Sequence, residues 1–135
     1  MTKSIETFRG GVFPWEIDIM GHMNVRHYTA KYDDATLQLF GALGLTIAYF
    51  KEQDRGMAAV QQNMTYGREL LAGDLIEIKS EILEAGERKI KFLHRMYECL
   101  GGDEASTCET PAFTLTARCA AQRPFRRTSA RKHWN

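Results

Sequence analysis

At 135 residues, with 44% hydrophobic and 26% charged side chains, the chain can bury the core of one ordinary domain, and its composition excludes a disordered chain. A formal net charge of +1 gives no electrostatic reason to expect nucleic acid or a membrane surface as partner, although Arg123, Arg126, Arg127, Arg131 and Lys132 crowd an end without acids, read as a solvated tail over about 124–135. No segment reaches membrane-spanning length, MTKSIETFRGG has no apolar run, and Cys99, Cys108 and Cys119 are odd in number and far apart, so a reduced, cytoplasmic protein without disulfides or zinc is expected.

Taken in order, Ile5 to Phe13 reads as a first strand, bulged at Gly10 and Gly11 and stopped by Pro14. A loop over 15–24 follows. From Asn24 the apolar spacing turns helical: Val25, Tyr28, Tyr32, Ala35, Leu39 and Leu43 form one stripe, and Ala30, Leu37 and Phe40 lie off it, which predicts a helix buried on more than one side. Asn24 fits its N-cap and Gly44 its C′ position. Residues 45–55 read as a short helix or turn.

Four strands are then expected. Ala59 to Tyr66 alternates, and Gly73-Asp74 turns into a strand with Ile76, Ile78, Ser80 and Ile82 on one face. Ala85-Gly86-Glu87 makes a hairpin into Ile90, Phe92, His94 and Met96, with Lys89, Lys91 and Arg95 opposite. Gly101-Gly102-Asp103 turns into a last strand centred on Phe113, Leu115, Ala117 and Cys119, and Pro111 predicts an edge or a bulge there. The class is α+β, one domain: a long helix on the concave face of a curved antiparallel five-stranded sheet, with an edge or face left for a second copy.

The stretch WEIDIMGHMNVRHY, Trp15 to Tyr28, gathers the chemistry. Asp18 is flanked by Trp15, Ile17, Ile19 and Met20, which would strip water from its carboxylate, and His22, Asn24, His27 and Tyr28 follow Gly21 into the helix. Those residue types equally fit plain turn capping with a satisfied loop histidine. Glu16 is a competing acid, placed behind Asp18 because an extended stretch would turn it the other way. Asp33 and Asp34 read as a solvated face, and His27 as a surface or interface position.

The segment D-I-M-G-H-M-N-V-R-H-Y resembles the D-x-x-G-H-x-N-x-x-x-Y signature of the 4-hydroxybenzoyl-CoA thioesterase-like branch of the hot-dog fold. GMAAVQQNMTYGRELLAGD (Gly56 to Asp74) and the Arg123-Pro124 pair extend the likeness over roughly residues 7 to 125. The resemblance implies an acyl-CoA thioesterase, with Asp18 attacking the thioester or activating water, and with His22 and Asn24 in support. It implies backbone donors after Gly21, including Met23 and Val25, as an oxyanion hole, with Val25 the best single donor, and Tyr28 and Gln62 near the substrate. It also implies a homodimer or dimer of dimers, no metal, and coenzyme A only as part of the substrate. Arg68, Arg88, Lys89 and Arg123 are the basic residues that could meet its phosphates.

Competing readings are a hot-dog enoyl-CoA hydratase or dehydratase and a non-catalytic acyl-CoA binder. A metal held by Asp18, His22 and His27 lacks a further strong ligand. No G-x-S-x-G elbow or glycine-rich phosphate loop is present.

Overall fold

In the computed structural model, which describes residues 3–116, the chain runs β1 (Ile5–Gly11), a 3-10 turn (Pro14–Glu16), α1 (Val25–Ala42), α2 (Ile47–Gln53), β2 (Arg55–Ala59), β3 (Asn63–Tyr66), β4 (Leu75–Ala85), β5 (Lys89–Glu98) and β6 (Glu104–Thr116). One antiparallel sheet has the order β1-β4-β5-β6-β2, and β3 pairs with β6 as well. β2 and β3 lie end to end along β6, so six strands fill five positions. The hot-dog arrangement expected from the sequence is present.

Alternation explains β4 and β5. Ile76, Ile78, Ser80, Ile82, Phe92, His94 and Met96 are buried, and they meet Tyr28, Tyr32, Ala35 and Leu39 of the helix. Asn24 Oδ1 accepts the Arg26 amide at 3.0 Å and starts α1. At its other end the Leu45 amide reaches Phe40 O at 2.8 Å and the Gly44 amide reaches Gly41 O at 3.1 Å, a Schellman closure that needs Gly44 at φ +81°.

Four expectations are corrected. The irregularity of β1 lies between Glu6 and Phe8 rather than at the glycines. The single strand expected over 59–66 is two, with β2 starting at Arg55 directly after Asp54 ends α2 in the left-handed region. Pro111 stands inside β6, between β5 and the β2–β3 line, not at an edge. Its carbonyl accepts the Val60 amide at 3.3 Å, so the side on which it has no N–H to offer is the one where β2 has ended and β3 has not begun. Finally, Ala30 and Leu37 are exposed in the single chain, and of the residues off the main stripe only Phe40 packs on the core. Ala117, Cys119, Arg123, Pro124 and the basic tail lie outside the described residues.

Candidate active site at the start of the long helix

The loop before α1 is built by its own backbone. Ile17 bridges Met23, the Asp18 amide reaches His22 O at 2.9 Å, and the Gly21 amide reaches Asp18 O at 3.0 Å. This tight turn requires Gly21 at φ +87°, which a side chain would strain. Asp18 Oδ1 accepts the Met20 amide at 2.8 Å, so the acid caps its own turn, as the ordinary reading of the sequence allowed.

Asp18 and Asn24 line one cleft of about 500 Å³ with Trp15, Glu16, Ile17, Ile19, Arg26 and His27. The shielding expected around Asp18 is absent from the single chain. Trp15 is 74% exposed, Met20 72% and Ile19 fully so, while Asp18 is half-buried. These flanking side chains point outward because the turn spends its short length on hydrogen bonds rather than on packing.

The helix end offers fewer free donors than the run His22 to Val25 promised. The Met23 amide is bonded to Leu70 O at 2.8 Å, its side chain lies in the core, and the Asn24 amide is bonded to Glu16 O at 2.9 Å. The amides of His22 and Val25 have no acceptor among the described residues. The Val25 amide is therefore open to an acceptor, whereas the Met23 amide is already used.

The remaining expected residues are divided. His22 turns to Glu69, with Nε2 2.8 Å from Oε2. Tyr28 is buried edge-on against Tyr66, with centroids 5.0 Å apart. Burial, then the neighbouring Tyr66 and Glu69, push its phenol above the ordinary value and keep it protonated. Gln62 is exposed in the gap between β2 and β3 and does not line this cleft. Asp33 and Asp34 are exposed, and Arg68 is already paired with Glu98 and Asp103 at 3.2 and 3.3 Å. Among the described residues no three His, Cys, Asp or Glu side chains converge as a metal site, and no helix is long and apolar enough to cross a membrane.

What sequence reasoning missed is the pair behind the loop. Glu16 is not on an extended stretch: the 3-10 turn swings it inward, where Lys31 Nζ lies 2.6 Å from Oε2 and the Phe13 amide bonds Oε1 at 2.9 Å. Burial pushes this carboxyl up, but Lys31, the Phe13 amide and His27 outweigh it and hold the group below the ordinary carboxylate value. The available signal was Lys31 itself. It falls on the buried stripe between Tyr28 and Ala35, where a charge needs a partner.

Comparison with known proteins agrees with this architecture. A relative in Rhizobium meliloti (strain 1021), named L-carnitine dehydrogenase/betainyl-CoA thioesterase, is 23% identical over 108 residues, which make up 80% of this chain and only 22% of that protein. A hypothetical protein of Staphylococcus aureus solved in complex with CoA superposes with a TM-score of 0.78 at 18% identity, covering 87% of this chain and 75% of that one. The DHNA-CoA thioesterase of the same organism gives a TM-score of 0.73 at 16% identity over 94% of this chain and 83% of its own. The family model for the thioesterase-like superfamily matches residues 12–124, and the chain belongs to that superfamily.

Proposed function

We propose that the protein hydrolyses an acyl-CoA thioester to a carboxylic acid and free CoA, with Asp18 as the reacting carboxylate. The observation that carries this reading is the shared cleft: Asp18 and Asn24 line it together, at the end of α1 where the Val25 amide is unspent. A thioester carbonyl placed over that amide meets an unpaired N–H and the positive end of the helix dipole, the arrangement that stabilises a developing oxyanion. Asp18 attacks the carbonyl to give a mixed anhydride that water then hydrolyses to the acid and free Asp18, or takes a proton from the attacking water. In either route the C–S bond breaks and its electron pair leaves on the CoA sulfur.

His22, held by Glu69, and Asn24 support the loop, and Tyr28 backs the helix end as a packed, protonated phenol. The superfamily match and the relative named for betainyl-CoA support a CoA thioester as the substrate class. The active unit is proposed as a homodimer or dimer of dimers, cytoplasmic, where the free thiols of Cys99 and Cys108 persist. No metal or cofactor enters the reaction.

Asp18→Asn tests the assignment. It keeps the side chain's shape and its bond to the Met20 amide. The expected result is a loss of kcat of roughly 10²- to 10⁴-fold with acyl-CoA binding retained in calorimetry. Unchanged kcat would remove Asp18 from the chemistry.

A further inference from the structure

Trp15, Ile19 and Met20 point into solvent, so only Ile17 and Met23 tie the loop that carries Asp18 to the core, and packing does not hold the rest of it. Polar bonds do, and the innermost is the Glu16–Lys31 pair, in which both side chains are 9% exposed. Glu16 makes three attachments at once. Oε2 binds Lys31 on the second turn of α1, Oε1 binds the Phe13 amide, and its main-chain oxygen accepts the amide of Asn24, the N-cap of the same helix. The segment entering Asp18 is thus fastened to the helix that begins with the free Val25 amide. Oε2 also lies 3.7 Å from His27 Nδ1, so a second cleft residue shares the anchor.

Removing two charges from water is costly, and a buried pair adds little net stability over apolar residues of equal volume. Its distinctive contribution is direction, since a short charged bond fixes one geometry where apolar contact would allow several. Resting on the hydrolase reading, we propose that Glu16 and Lys31 are positioning residues for the thioester reaction: they set the Asp18 carboxylate against the Val25 amide without touching substrate.

Replacing one partner strands a buried charge, so the main variant is Glu16→Gln with Lys31→Met, which removes both. It is expected to keep a cooperative melting transition and to lose kcat roughly 10- to 100-fold, with KM changed less than about threefold, because misplacement acts on the reacting geometry rather than on binding. Lys31→Arg, which keeps the charge, should recover most of the turnover. Glu16→Asp, which withdraws the carboxylate by one methylene, is the second variant: reduced kcat at a preserved melting temperature supports the proposal, and unchanged kcat overturns it. Should the double variant not fold, Glu16→Asp decides on those terms, with Lys31→Arg as the charge-keeping control that retains turnover. Asp18→Asn is assayed beside them. If it abolishes a wild-type turnover that the pair variants leave intact, positioning is overturned and the hydrolase reading stands. If the wild-type protein releases no thiol from any acyl-CoA, both are overturned.

Discussion

His94 is buried under α1 in a chain of four side chains. Its Nδ1 lies 2.5 Å from Ser80 Oγ, which is 2.7 Å from Thr7 Oγ1, and its Nε2 lies 2.8 Å from Thr36 Oγ1. Thr36 donates to Tyr32 O at 2.9 Å, so its oxygen accepts from Nε2–H, and the neutral imidazole takes the Ser80 proton at Nδ1. The ring also stacks on Tyr32, 5.6 Å away and 10° from parallel. Burial lowers its pKa from 6.5 to about 4. Between those values protons bind the unfolded chain preferentially, so the stabilisation is complete above about pH 6.5 and is lost as pH falls toward 4. Denaturant titrations are expected to lose about 3 kcal/mol across that window. Glu16 and Glu98 lie below the ordinary carboxylate value of 4.5 and withdraw their contributions only at lower pH. His94→Phe should flatten the upper part of the window, and an undiminished slope would assign it elsewhere.

Among the elements, α1 carries the candidate site, and its two ends are separately testable. Asn24→Ala removes the acceptor of the Arg26 amide and should cost about 1 kcal/mol in urea unfolding. Gly44→Ala forces a side chain to φ +81° and should cost about 1–2 kcal/mol. Only the first should also lower turnover, since it loosens the end of the helix that faces the cleft. Equal effects on activity would mean that stability alone is being measured. Both ends were legible in the sequence, because caps are local chemistry. The faces of β4 and β5 were legible too, since period-two alternation survives any tertiary detail. The break between β2 and β3 was not: it depends on which side of β6 the nitrogen of Pro111 faces, a matter of register with β5. The Glu16–Lys31 pair was hidden for a similar reason. Reading Trp15 to Asp18 as extended put Glu16 on the wrong side, and only the turn at Pro14 brings it back under the helix. Asp18, Asn24 and Val25 could be singled out together because the motif is contiguous, whereas Glu69, the partner of His22, comes from beyond β3.

At the scale of the molecule, the cleft is rimmed by apolar surface that the single chain does not cover. Phe13 and Trp15 stack at 4.8 Å and 3° in the open, and Ile19, Met20 and Val25, which follow in the same stretch of chain, are exposed as well. Exposed apolar side chains around a cleft are suited to a second copy, which would also return to Asp18 the shielding missing in the isolated chain. Size-exclusion chromatography should give a dimer or larger species, and Ile19→Lys with Met20→Lys should shift it toward monomer and reduce turnover with the helix content unchanged. A fully active monomer would contradict that arrangement.

Thioester hydrolysis at this cleft is decided by thiol release from a panel of fatty, aromatic and short polar acyl-CoAs. The wild-type protein is expected to release free CoA steadily and without added metal from at least one member, and Asp18→Asn to lower that release roughly 10²- to 10⁴-fold. No release from any member, or release that survives Asp18→Asn undiminished, would contradict it.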